Sequence, residues 1–86
     1  MASYSILLTK SAAKELESVP TKDRQRIVTK IGTLANNPRP MSAEKLSGDD
    51  KYRIRLGNYL ILYEIVDAEL IVTVVRVGNR REVYRR

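Results

Sequence analysis

Lys51-Tyr52-Arg53-Ile54-Arg55-Leu56-Gly57-Asn58 is the stretch on which the fold turns. Its period of two predicts a strand with Tyr52, Ile54 and Leu56 on one side and Lys51, Arg53 and Arg55 on the other. One face of that strand is core and the other is a row of cations. Gly57-Asn58 supplies a two-residue connection with glycine first, which suits a type II′ hairpin turn because that position needs positive φ. With that turn, Arg55 faces Leu60, Arg53 faces Leu62 and Lys51 faces Glu64, all on the cationic side.

Downstream, Tyr59 to Val66 and Glu69 to Val77 read as a second hairpin about Asp67-Ala68. Ile, Leu, Val and Tyr fill most positions on both sides. Such strands are either buried on both faces or packed on helices with one face and lining a concave surface with the other. Tyr52, Tyr59 and Tyr63 fall on the core side, as packing tyrosines with hydroxyls at the rim. Arg76 falls on the same side, so it either extends to solvent at the strand end or is turned over by a bulge.

Upstream, Tyr4-Ser5-Ile6-Leu7-Leu8 reads as a short strand, after which Thr9 or Ser11 can cap a helix. Ala12, Ala13, Leu16 and Val19 recur at helical spacing, giving a helix over residues 10–18 that Pro20 stops. Thr21 is the expected N-cap of a longer second helix, with Asp23 in its first turn suited to the helix dipole. Ile27, Val28, Ile31, Leu34 and Ala35 form its apolar stripe. Lys22, Arg24, Arg26 and Lys30 form a polar side, most simply a solvated one. Asn36-Asn37-Pro38-Arg39-Pro40 ends that helix. Met41 to Asp50 is expected to be a loop, with Leu46 reaching the core and Ser47-Gly48-Asp49-Asp50 turning into the cationic strand. Asp49-Asp50 reads as part of that turn, since two adjacent carboxylates alone make a poor cation site.

The predicted architecture is α+β: strand, helix, helix, then a three-stranded antiparallel meander, with both helices packed on one sheet face and the other face open. Eighty-six residues suffice for a single domain spanning 1–86 with one core. With no cysteine and no histidine, disulfide frames, thiolate chemistry and the usual zinc ligand sets are excluded. No apolar run is long enough for a membrane helix and the start lacks a signal-peptide pattern, so a soluble cytoplasmic protein is expected. Residues 1–50 hold eight Lys and Arg against six Asp and Glu, whereas residues 51–86 hold eight against four. The excess therefore lies mainly in the second half. Nucleic acid or an acidic protein segment suits such a surface, against the plainer reading of a solubilising charge excess.

The order of elements, the segment Lys45-Leu46-Ser47-Gly48-Asp49-Asp50-Lys51-Tyr52-Arg53-Ile54-Arg55-Leu56-Gly57-Asn58-Tyr59, the apolar strands and the closing Val77-Gly78-Asn79-Arg80-Arg81-Glu82-Val83-Tyr84 resemble the RelE/ParE toxin superfamily, most of all its RelE branch. The resemblance spans nearly the whole chain and is specific in the second half. It implies the toxin of a type II toxin–antitoxin system: a small ribonuclease, with no cofactor, that cuts messenger RNA in the ribosomal A site. The implied partners are the ribosome, its message and a cognate antitoxin whose acidic segment wraps the toxin. The two alternating basic positions of the family are matched by Arg53 and Arg55. The arginine after the Gly-x motif is matched by Arg80, and the tyrosine of Glu-Val-Tyr by Tyr84. Lys51 and Arg81 are the accompanying RNA-binding cations. Where the family places an arginine after the tyrosine matched by Tyr59, this chain has Leu60, which removes a phosphate-binding cation opposite Arg55. Asn79 stands where many relatives carry histidine.

The implied chemistry has three tasks without metal: deprotonating the 2′-hydroxyl, stabilising the charge on phosphorus and protonating the 5′-oxygen. Arginines suit the second, because a guanidinium fork pairs two phosphate oxygens. They are poor bases because they stay protonated. Tyr84, with a lowered pKa among cations, and Glu82 are the candidates for the base, and Tyr84 can instead stack on a base of the message. Two other classes stay open: a ParE-like toxin that acts on DNA gyrase without nuclease chemistry, and a catalytically weakened basic RNA-binding module. For Arg53 and Arg55 the plainer reading is an exposed strand face, and for Tyr84 a tail packed on the sheet edge.

Overall fold

The computed structural model describes residues 3–46 and 50–79. Along the chain come β1 (Ser5–Leu8), α1 (Lys10–Glu17), α2 (Thr21–Thr33), β2 (Ala43–Lys45), β3 (Lys51–Leu56), β4 (Tyr59–Val66), a 3-10 turn (Asp67–Glu69) and β5 (Ile71–Asn79). The sheet order is β1-β5-β4-β3-β2. β1 runs parallel to β5 and every other pairing is antiparallel. The α+β architecture and the antiparallel meander β3–β4–β5 are as predicted, within a five-stranded mixed sheet.

Gly57 alone carries positive φ in the β3–β4 turn, at 60°, as a glycine-first hairpin requires. The register follows: Lys51 pairs with Glu64, Arg53 with Leu62 and Arg55 with Leu60. Tyr52 and Ile54, facing the other way, are buried in a cluster with Ala12, Val19, Ile27, Ile31 and Leu34 of the helical layer. Both helices therefore cover one face of the sheet, and the alternation of β3 decides which residues they cover.

Thr9 caps α1: its Oγ1 accepts from Ala12 N at 3.1 Å. It also ties the helix start to β5, donating from its backbone N to Val74 O at 3.0 Å and from Oγ1 to Val75 O at 3.2 Å. Ala13 and Val28, expected on the apolar stripes, are exposed. Thr21 is the first helical residue of α2 rather than its cap. Pro20 holds the N-cap position with no side-chain bond, and its carbonyl accepts from Arg24 N at 2.8 Å. A proline fixes φ ahead of a helix, which here makes a hydroxyl cap dispensable.

The loop expected over Met41 to Asp50 contains β2, whose Ala43, Glu44 and Lys45 pair with Ile54, Arg53 and Tyr52. A short, charged strand at a sheet edge carries no alternating apolar signal. Ala43 does pack on the core, while Leu46 is half-buried and its N–H donates to Lys51 O at 2.8 Å. The expected turn residues Ser47, Gly48 and Asp49 lie outside the described residues.

Arg76 is turned over by a bulge. Leu62 pairs with Arg76 but Tyr63 with Val74, so Val75 is an extra residue in β5. Val72, Val74 and Val77 all reach the core as a result, while Arg76 leaves it for Glu15 of α1.

Candidate functional site

Successive residues on one side of β3 are about 6.5 Å apart, so Lys51, Arg53 and Arg55 present cations in a row. The row points away from the helices, because Tyr52 and Ile54 between them point into the core. Lys51 and Arg55 are exposed and Arg53 is half-buried. The three expected cations on this strand therefore share one face. Arg53 Nη2 donates to Glu44 Oε2 at 3.0 Å, across the β2–β3 register. The hydrogen bond from Arg53, then its charge, hold the Glu44 carboxyl below the usual range, and Arg55 adds a smaller charge effect. Glu44 is thus ionised at neutral pH. It lies on β2, inside the segment whose sequence predicts a loop. Its signal, one carboxylate two residues after a turn, is too weak to stand out.

Leu60 keeps the register expected of it, opposite Arg55 and Gly78. Yet its exposure is 0%. The face that carries the cations is therefore not uniformly open: an apolar side chain is sealed between their row and the end of β5. Arg80, Arg81, Glu82 and Tyr84 lie outside the described residues. β5 is described to Asn79, which pairs with Tyr59 one position beyond the Leu60–Gly78 pair. The described chain thus ends beside the strand rung that carries Arg55.

On the helical side, Lys22, Arg26 and Lys30 line an open groove of about 470 Å³ with Leu56 as its one aliphatic residue. Arg26 lies 3.8 Å from Asp23. Arg24 donates to Thr21 Oγ1 at 3.2 Å and to Glu17 O at 3.4 Å. This is the solvated helix face read from the sequence, and it lies across the sheet from Arg53 and Arg55.

The three core-side tyrosines place their hydroxyls at polar partners. Tyr59 donates to Asp23 Oδ2 at 3.2 Å and Tyr63 to Pro38 O at 2.8 Å. Tyr52 accepts from Arg39 Nε at 2.9 Å. Burial pushes the Tyr63 phenol up to about 12. Among the described residues no three metal-ligating side chains converge. No described helix is long and apolar enough to cross a membrane.

The family described as the ParE toxin of type II toxin–antitoxin systems, parDE, matches residues 6–84. The mRNA interferase toxin RelE of Escherichia coli strain K12 is 31% identical over 86 residues, covering 94% of this chain and 90% of the relative. The isolated E. coli RelE toxin superposes with a TM-score of 0.81 at 27% identity, covering 95% of this chain and 92% of that one. The toxin–antitoxin complex RelBE2 from Mycobacterium tuberculosis contains a chain that superposes at 0.80 with 26% identity, covering 92% of this chain and all of that one.

Proposed function

This chain belongs to the RelE/ParE superfamily of type II toxin–antitoxin toxins, and from that premise we propose that it is a ribosome-dependent, metal-independent endonuclease that cuts messenger RNA in the A site. The observation that carries the reading is the pair Arg53 and Arg55 on the sheet face left by the helices, in a chain whose relative is named an mRNA interferase. Two guanidinium groups at strand spacing suit a phosphodiester and the charge that grows on it during attack by the 2′-hydroxyl. Each preorganised donor is worth roughly 3 kcal/mol of transition-state energy. Arg80 and Tyr84 complete the proposed catalytic set, and Lys51 and Arg81 bind the flanking RNA.

The partner that restrains it is a cognate antitoxin, a reading supported by the chain's likeness to the toxin of a toxin–antitoxin complex. An acidic segment that orders on binding fits a chain of net charge +6. Laid across Arg53, Arg55 and Arg80, or displacing Tyr84, it blocks RNA by charge or by geometry. Both proteins work in the cytoplasm, where ribosomes are.

A second reading has its own support. The matching family is described by ParE, and Leu60 fills the position where the RelE pattern has an arginine. A ParE-like toxin acts on DNA gyrase and needs no phosphate clamp. Mapping message 5′ ends after brief induction separates the two. New ends within translated codons, absent in Arg55→Ala, are expected for the nuclease. Intact messages with DNA damage and blocked replication would replace it by the gyrase reading. Arg55→Ala is expected to melt within about 0.5 kcal/mol of the parent, because an exposed side chain is removed.

A further inference from the structure

The cationic row itself supplies no base, and Tyr84 and Glu82, the candidates named from the sequence, lie outside the described residues. Arginine stays protonated, and the chain has no histidine or cysteine. Two carboxylates belong to this face of the described sheet: Glu64, opposite Lys51, and Glu44, opposite Arg53. Of these two, Glu44 contacts one of the phosphate-binding arginines, Oε2 to Arg53 Nη2 at 3.0 Å. Its side chain is 56% exposed on an edge strand, so a ribose can reach it. The Arg53 side of the pair is only 25% exposed, so the carboxylate is its open side.

We propose that Glu44 is the general base of this RNA cleavage, taking the proton of the ribose 2′-hydroxyl next to the phosphate that Arg53 holds. The inference rests on the endonuclease reading above. A phosphate that binds the Arg53 guanidinium comes within reach of the carboxylate that the same group already holds. The 2′-oxygen sits on the ribose carbon adjacent to the one that bears the phosphate. A phosphate on Arg53 therefore brings that hydroxyl beside Glu44. The proton moves from O2′ to a Glu44 oxygen, the O2′–phosphorus bond forms and the phosphorus–O5′ bond breaks. The 5′-oxygen takes a proton from water, leaving a 2′,3′-cyclic phosphate and a 5′-hydroxyl, and Glu44 returns its proton to water. Among the described residues, Arg53 and Arg55 of β3 are the charges that act on the carboxylate, with apolar Leu62 next in the row. They keep it ionised at the pH of the cell, which supports the assignment. A base held this acidic is weak, and its proximity to the hydroxyl has to compensate.

The test is single-turnover cleavage of a message on programmed ribosomes by the full chain and its variants. Glu44→Gln is expected to cut roughly 100-fold slower or worse, with ribosome binding and melting temperature close to the parent. Glu44→Asp keeps part of the rate. Formate added to Glu44→Ala restores cleavage while leaving Glu44→Gln unaffected, a response that a merely structural carboxylate does not give. Between about pH 6 and pH 8 the parent rate is flat, because its base is already ionised, whereas the Glu44→Gln rate climbs as hydroxide substitutes. Undiminished cleavage by Glu44→Gln, or no rescue by formate, overturns the assignment while the endonuclease stands. A parent protein that leaves messages intact on ribosomes overturns both.

Discussion

Leu60 shows how one side chain can keep its register and change its meaning. Read as the position of a missing cation, it invites Leu60→Arg as a gain of phosphate binding. In the structure it is opposite Arg55 as expected but wholly buried. An arginine there has to desolvate its charge or push through its neighbours. Leu60→Arg is accordingly expected to lower the melting temperature, and Leu60→Ala to cost about 2–4 kcal/mol in urea unfolding. A cost for Leu60→Ala below about 0.5 kcal/mol would put Leu60 on an open surface. A loss of stability in these variants would not signal a slipped hairpin, because the Gly57 turn and the pairs Arg53–Leu62 and Lys51–Glu64 already pin the strand. The independent check on register is Ile54→Asp, whose side chain points into the core and whose charge is expected to unfold the domain.

At the scale of elements, the end of β5 is held by a helix where strand pairing stops. β1 pairs with β5 only as far as Leu8–Val74. Beyond it Glu15 of α1 takes over the exposed edge: Oε1 accepts from Val77 N at 3.1 Å and from Arg76 Nε at 3.0 Å, and Oε2 from Arg76 Nη2 at 2.8 Å. The bulge at Val75 is what brings Arg76 to this carboxylate while keeping Val77 in the core. Both side chains are about three-quarters buried, at 23% and 24% exposure. Glu15→Ala leaves a backbone donor and a guanidinium without their acceptor and is expected to cost about 2 kcal/mol in urea unfolding. Arg76→Ala is expected to cost less, because Glu15 keeps Val77 N and is partly solvated. The reverse order would mean that the arginine, not the carboxylate, secures the edge. In the sequence Arg76 breaks the alternation, and a bulge is one of two ways out. The pattern alone does not choose between them, because the choice depends on a helix residue 61 positions away. The same limit hid Glu44. Alternation in Lys51–Leu56 and apolar strands after it announce the meander, since their side chains meet each other. A three-residue edge strand is specified by its neighbour, and Ala43-Glu44-Lys45 carries no period of its own. The cations on β3 were therefore legible and the carboxylate that pairs with one of them was not.

Across the whole molecule, one polar cluster ties the residue before β1, the loop after α2, β3 and the β4–β5 connection together. Arg39 donates from Nη1 and Nη2 to Asp67 at 3.1 and 2.8 Å, and from Nε to the hydroxyl of Tyr52, over whose ring it lies at 5.4 Å. Tyr4 donates to Asp67 Oδ1 at 2.6 Å. Tyr52 stacks on Tyr63 with centroids 5.7 Å apart, which carries the cluster into the core. The hydrogen bonds from Arg39 and then Tyr4 hold the Asp67 carboxyl down to about 2. A carboxyl depressed in the folded chain stabilises it fully above its unfolded pKa of about 4 and loses that contribution as pH falls toward 2. Asp67→Asn is therefore expected to melt a few degrees below the parent at neutral pH, and the gap is expected to narrow below about pH 4 and to close only as pH falls through about 2. Glu44, also held below its usual range, titrates in acid in both proteins and cancels from the difference. Thermal melts of the pair from neutral pH downward make the measurement. A gap that stays constant through that acid window would mean that Asp67 contributes shape and hydrogen bonding rather than charge, and that Arg39 is held by Tyr52 alone.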